Sequence, residues 1–255
     1  MQNLNQKIPK MNNRILLIET ATDACSAAVA EGTEILSVRR CGVPRSQAGG
    51  LAPLISGVLE ESGTSVEKLS AVAVSSGPGS YTGLRVGVST AKGICFGAGI
   101  PLIGIETTEI LAHGVLDRAG ADSVIIPMID ARRMEVYTAL FDSSGRRLSE
   151  TRALILEPDT FAAQAGTHSR LIFTGDGAEK YMSVIDSSLL PSCTFIPRSP
   201  DAADMASAAA DALNKKRFED TAYFEPFYLN EFIAASPSRK IEAVLHPEIR
   251  TSQKS

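Results

Sequence analysis

The stretch at 75–97, SSGPGSYTGLRVGVSTAKGICFG, restricts this chain more than any other. An apolar, β-branched run at 69–74 precedes it and reads as a buried strand. Gly77-Pro78-Gly79-Ser80 then makes a turn rich in breakers. From Thr82 the period becomes helical, with Leu84, Val88, Ala91 and Cys95 on one face. Strand, glycine turn and helix in this order leave backbone N–H groups at a helix N-terminus, where an anion can sit. Gly83 and Gly87 lie one turn apart on this helix, and Ala91 follows a turn later. A mid-helix glycine costs about 1 kcal/mol relative to alanine, so the helix is expected to depend on close packing. Two readings stand side by side: close packing alone, or packing plus a phosphate or partner site at the turn. The Walker A loop is excluded because no Gly-Lys-Ser/Thr follows the glycines. The dinucleotide fingerprint is excluded because its third glycine is out of place.

A chain of 255 residues is long enough for one large domain or two small ones. Its 44% hydrophobic and 21% charged content is ordinary for a soluble globular protein. The net charge of −4 argues against a stand-alone nucleic-acid binder, which usually carries a basic face. Cys25, Cys41, Cys95 and Cys193 are scattered without a C-x-x-C pair, and no secretory signal or long apolar run occurs. A cytoplasmic protein with reduced cysteines is therefore expected. His113, His168 and His246 stand far apart, so no metal site is expected and each reads as a surface or capping residue. Short basic pairs such as Arg39-Arg40, Arg132-Arg133 and Arg146-Arg147 read as solvated loop charges.

Along the chain, residues 1–13 read as a flexible leader and 233–255 as a surface or disordered tail. Apolar runs at 15–18, 25–30 and 35–38 read as a three-stranded meander. Ser46 opens an amphipathic helix with Leu51, Leu54, Ile55, Val58 and Leu59 on one face, ending at Ser62-Gly63. After the central strand, turn and helix come a strand at 101–105 and a short helix to Val115. The second half repeats the plan. A run at 124–129 ends in Asp130, as the first strand ends in Glu19, and 134–141 and 147–155 read as hairpin partners joined at 142–145. A helix at 158–164, a strand at 171–173 and Gly175-Asp176-Gly177-Ala178 leading into a helix to about Ile185 complete it. The order β-β-β-α-β-turn-α thus occurs twice, which predicts two α/β halves of one kind, at 14–115 and 116–232, with a cleft between them. An alanine-rich helix is expected over 201–215.

The run from Ser75 to Gly87 closely resembles the signature of the TsaB family of bacterial tRNA threonylcarbamoyladenosine biosynthesis proteins. Asp130-Ala131-Arg132-Arg133 with Val136-Tyr137 resembles the family's second block, and Gly175-Asp176-Gly177-Ala178 its third. The resemblance covers roughly residues 14 to 232 and implies an α/β fold of two RNase H-like halves with mixed sheets, of the actin-like ATPase superfamily. It implies a non-catalytic partner of a TsaD-like transferase, which moves a threonylcarbamoyl group onto the adenosine beside the anticodon. TsaD-like sequences carry a metal-binding H-x-x-x-H; lining up Pro101 puts Thr107 and Leu111 at those places, and leucine cannot coordinate a metal. The family's first turn usually reads Asp-Thr-Ser-Thr, whereas this chain has Glu19-Thr20-Ala21-Thr22. Ala21 brings a Cβ toward any phosphate, and Glu19 is read as a solvated strand-end acid. Arg45 stands where the family commonly has histidine before Ser46-Gln47.

No catalytic residue and no metal ligand are assigned on this basis. Glu19, Thr20, Gly77, Gly79, Ser80, Gly175 and Gly177 form a weak phosphate or nucleotide set. Leu51, Leu54, Val58, Gly83, Arg85, Gly87 and Ala91 form a partner-binding set for the TsaD-like subunit, on helices that also cover their own sheet. No tightly bound cofactor is expected, with ATP or ADP at the subunit junction of the complex as the open option. A TsaE-like ATPase is expected through the complex, tRNA mainly through the partner, a homodimer when the protein is alone, and no membrane. Two alternatives remain. A small-molecule kinase or ATPase of the same superfamily would use Glu19 and Asp130 as Mg²⁺-facing acids. A metallopeptidase-like hydrolase would need a stoichiometric metal.

Overall fold

The structure is a computed structural model that describes residues 13–41 and 47–229. The leader up to residue 12, the helix start at Ser46 and the tail from residue 230 lie outside the described residues.

Each half is one mixed sheet. In the first, β1 (Arg14–Glu19), β2 (Ser26–Glu31) and β3 (Glu34–Arg40) form the expected antiparallel meander. The turn between β2 and β3 places Gly32 at φ +62°, which glycine adopts at little cost. β4 (Ala71–Gly77) and β5 (Leu102–Glu106) add parallel to β1, giving the order β3-β2-β1-β4-β5. Parallel neighbours need crossovers, and these are α1 (Gln47–Glu61) and α2 (Tyr81–Ala98). Ser80 caps α2 by accepting from the Gly83 N–H, and Gly99 ends it at φ +65°.

The second half repeats this topology. β6 (Ser123–Asp130), β7 (Glu135–Thr138), β9 (Arg152–Ile155), β10 (Arg170–Thr174) and β11 (Cys193–Ile196) take the order β9-β7-β6-β10-β11, with the short β8 (Phe141–Asp142) paired to β6. Strand directions match the first sheet position for position. The expected strand at 134–141 is split into β7 and β8, and the second hairpin arm begins only at Arg152. Local side-chain bonds explain the break: Asp142 Oδ1 accepts from the N–H groups of Ser144 and Arg146, and the Ser149 hydroxyl accepts from Leu140 N–H. The helices α4 (Ala162–Thr167) and α5 (Ala178–Met182) are shorter than their counterparts.

Both faces of the first sheet are covered, which is why 15–18 of β1 and 71–74 of β4 are unbroken apolar runs. On one face Leu16, Ile18, Ala27, Val29, Val72 and Val74 pack against α1 and α2. On the other, Ile15, Leu17, Ala28, Ala71 and Ala73 meet α3 (Thr107–His113) through Ile110. The same face also meets a 3-10 turn, Ala202–Met205, and α6 (Ala206–Asn214). Asp201 caps that turn through Ala203 N–H, so the expected helix over 201–215 is present as a 3-10 start running into α6. Burying one such Leu or Ile side chain is worth roughly 1.5–3 kcal/mol. α3 sits between the halves: Ile110 joins the first core, while Ala112 joins Ile125, Phe141 and Ile172 of the second.

The chain after α6 returns over the first half. Glu219 N–H donates to the Leu102 carbonyl, and Phe227 N–H donates to the Ser76 carbonyl at 2.7 Å. The Lys92 ammonium on α2 donates to the carbonyls of Ala222 and Phe224, both at 3.0 Å.

Candidate functional site

The phosphate set of the first half comes together in space. β1 ends at Glu19, and the chain turns through Thr20 and Ala21 directly over the glycine turn that follows β4. Ser80 N–H donates to the Ala21 carbonyl at 2.6 Å, and Thr20 N–H donates to the Ser75 hydroxyl at 3.2 Å. A Cβ at Gly79 would strike the Ala21 carbonyl, one at Gly83 the Thr20 carbonyl, and one at Gly87 the Thr20 hydroxyl. Gly79 also has φ +158°, and Gly77 has φ +111° with the Phe227 carbonyl 2.6 Å from where its Cβ would stand. The glycines of this motif are therefore spaced to receive the Glu19–Ala21 turn of the same chain. The Ala21 carbonyl of that turn takes up the Ser80 N–H at the start of α2.

Glu19 is fully buried, which corrects the expectation of a solvated strand-end acid. One carboxyl oxygen accepts from Ala21 N–H, and Oε2 is buried without a well-formed hydrogen bond. Burial pushes its pKa up to about 8, against the lowering effect of the Ala21 N–H and the Ser75 hydroxyl; the nearby charges of Asp201 and Asp204 push the same way as burial. Burial thus holds Glu19 toward its neutral form. Asp204 is also raised, to about 6, chiefly by burial and despite its Arg198 partner.

Gly175 and Gly177 build the matching turn in the second half. Gly177 N–H donates to the Met128 carbonyl at 3.0 Å, and a Cβ at Gly175, whose φ is +104°, would strike the same carbonyl. Asp176 Oδ1 accepts from Asp130 N–H at 2.9 Å, and the Lys180 ammonium pairs with the Asp130 carboxylate. Burial raises the Asp176 carboxyl above its ordinary range. Lys180 was not singled out by sequence, and Ser75 only as the first residue of the signature run. The signal for Ser75 was a polar residue closing an otherwise apolar strand.

The partner set divides by exposure. Leu51, Val58, Gly83, Gly87 and Ala91 are buried in the first half's own packing, and Leu54 is half-buried against the same core. Arg85 is exposed; its guanidinium lies over the Tyr81 ring at 4.1 Å and donates to the Tyr228 hydroxyl at 3.3 Å. The outward flank carries Ala52 and Ser56 on α1 and Ser89, Gly93 and Phe96 on α2, with Phe96 86% exposed. Phe96 carried no weight in the sequence because it falls off the apolar face of the helix.

Thr107 and Leu111 both lie fully buried in α3. Among the described residues no group of three or more His, Cys, Asp or Glu side chains is placed to hold a metal ion. No helix among the described residues is long and apolar enough to cross a membrane.

Comparison with known proteins adds identity to this geometry. A family model described as TsaD, tRNA N6-adenosine threonylcarbamoyltransferase, matches residues 44–234. Over 231 residues the chain is 32% identical to the tRNA threonylcarbamoyladenosine biosynthesis protein TsaB of Escherichia coli (strain K12), covering 87% of this chain and 96% of that protein. It is 35% identical over 126 residues to the protein of the same name from Haemophilus influenzae, spanning 49% of this chain and 52% of that one. Among solved structures, an uncharacterized protein from Pseudomonas aeruginosa with similarity to peptidase YEAZ superposes with a TM-score of 0.74 at 25% identity, over 86% of this chain and all of the other.

Proposed function

This chain belongs to the TsaB family of tRNA threonylcarbamoyladenosine biosynthesis proteins, and from that premise we propose that it is a non-catalytic subunit that docks a TsaD-like transferase. The observation that carries this reading is the filled turn: the Ala21 carbonyl takes the Ser80 N–H and sits against Gly79. An N–H that could otherwise help to hold an anion at the start of α2 is thereby already taken. The buried Glu19, held toward its neutral form, supports the same reading, as do Thr107 and Leu111 in place of a histidine pair.

The docking surface in this reading is the outward flank of α1 and α2. Small residues at Ala52, Ser56, Ser89 and Gly93 let a second helix approach closely, and Phe96 offers an apolar anchor. Without the partner, the same flank pairs two copies. The TsaE-like ATPase joins through the complex, and any ATP or ADP binds at the subunit junction. The tRNA is held mainly by the partner, because Arg39, Arg40, Arg146 and Arg147 already face Glu61, Asp201, Asp142 and Glu106. The complex works in the cytoplasm.

Reconstitution tests the proposal. This protein, the cognate TsaD-like and TsaE-like proteins, threonylcarbamoyl-adenylate and unmodified tRNA are combined, and the modified nucleoside is quantified with and without this chain. Modification that requires the chain, with no activity from the chain alone, is the expected result. Equal modification in its absence overturns the subunit role.

A further inference from the structure

The two cysteines that flank the β2–β3 hairpin face each other. The ladder pairs Ser26 with Arg40, and one step further Cys41 N–H donates to the Cys25 carbonyl at 2.8 Å. Residues directly opposite in antiparallel strands project to the same face. This single bond continues the ladder's register, in which opposite Cα atoms lie about 4.5–5.5 Å apart, inside the range of roughly 4.4–6.8 Å that a disulfide spans. Cys25 is 2% exposed, while Cys41 is only half-buried. The other two cysteines are committed elsewhere. Cys95 lies in the core of α2 with its thiol donating to the Pro101 carbonyl, and Cys193 belongs to the second half with its thiol donating to the Leu189 carbonyl.

We propose that Cys25 and Cys41 are a redox-active dithiol, closed to an intramolecular disulfide by a small disulfide oxidant of the glutathione type. The more accessible thiol reacts first. The Cys41 thiolate attacks one sulfur of oxidised glutathione, the sulfur–sulfur bond breaks, and one glutathione leaves as thiolate and takes up a proton. Cys25 then gives its proton to solvent and attacks Cys41 Sγ, releasing the second glutathione. Two protein thiols lose two electrons and two protons, and one oxidised glutathione becomes two reduced molecules. The environment suits this order. At 2% exposure Cys25 is shielded from solution oxidants, and burial with the Cys41 thiol beside it pushes its thiol up to about 11, so it is the later of the two to react.

The test uses the full chain, reduced, freed of reductant and equilibrated over a series of reduced-to-oxidised glutathione ratios. It is then quenched in acid, alkylated and read by intact mass and peptide mapping. The expected product loses two alkylatable thiols, retains no glutathione and yields a Cys25–Cys41 cross-linked peptide. The Cys95→Ser/Cys193→Ser double variant gives the same product, and Cys41→Ser gives none. Four alkylated cysteines at the most oxidising ratio, a glutathione adduct that persists on Cys41, or a cross-link through Cys95 or Cys193 each overturns the proposal.

Discussion

Gly83 of α2 and the Thr20 carbonyl that follows β1 are packed so closely that no side chain fits between them. Ten residues along the same helix, Gly93 has nothing beyond the backbone of its own helix within 4 Å of where its Cβ would stand. The same substitution at the two positions should therefore act in opposite directions. Gly83→Ala gains up to about 1 kcal/mol of helix propensity but forces a clash with backbone, where overpacking costs typically 1–3 kcal/mol. A net loss of about 1–2 kcal/mol and a drop in melting temperature of roughly 3–6 °C are expected. Gly93→Ala should be stabilising by up to about 1 kcal/mol. Thermal unfolding of both variants beside the parent checks the pair.

Glu19 should make stability fall as the solution becomes alkaline. Its folded pKa, about 8, lies above its ordinary value of 4.5, so between those limits the folded state holds a proton that the unfolded chain has released. Stability contributed by this proton is full below about pH 4.5 and is lost as pH rises through 8. Asp204, raised to about 6 from 3.8, acts in the same direction over a lower window. Glu19→Gln keeps the buried acceptor for Ala21 N–H but removes the ionisation. Its urea midpoint should change less between pH 6 and pH 8.5 than the parent's. An equal change in both proteins would mean that Glu19 does not titrate in this range.

Replacing Phe96 by glutamate should abolish co-elution with the TsaD-like partner while leaving thermal unfolding within about 0.5 kcal/mol of the parent, the usual range for exposed positions. Gly87→Leu would be an uninformative probe of docking, because Gly87 packs on Thr20 inside the first half. Arg85→Glu tests the edge of the same flank and should weaken binding less than Phe96→Glu.

Arg147 links the halves. Its guanidinium reaches Glu106 at 3.2 Å and donates to the Thr151 hydroxyl at 2.9 Å, and Thr151 in turn meets Thr108 and Glu106. Arg147→Ala should cost about 1.5–3 kcal/mol, the range for hydrogen bonds to charged groups. A double-mutant cycle with Glu106→Gln should return a coupling of at least 0.5 kcal/mol, the lower end for residues in one network. Additive losses would show that the two side chains act separately.

The sequence made the duplicated plan legible because its signals are local. Runs such as 15–18 and 124–129 are apolar and end in an acid, and Gly77-Pro78-Gly79-Ser80 and Gly175-Asp176-Gly177 punctuate equivalent places. β11 was missed because all four of its residues are only half-buried at a sheet edge, leaving neither alternation nor a solid apolar run. The site was less legible. Glycine spacing pointed to a close approach at Gly83 and Gly87 but could not say to what, and the answer is a turn more than sixty residues earlier in the chain. The burial of Glu19 was hidden for the same reason, since Asp201 and Asp204, which crowd it, arrive from the far end of the fold. Composition identified α6 as a helix, yet a helix made mostly of alanine carries no mark of which sheet it covers.

That last placement governs the order in which the protein can be made. The sheet face formed by Ile15, Leu17, Ala28, Ala71 and Ala73 is covered by Ala202, Met205 and Ala209, which leave the ribosome only after the whole second sheet has been synthesised. The first half therefore waits, with an apolar face exposed, for a segment translated more than eighty residues after its own last strand. Exposed apolar surface of this kind favours aggregation, and ribosome-bound chains stopped before residue 201 should be more protease-sensitive than chains extended past residue 214.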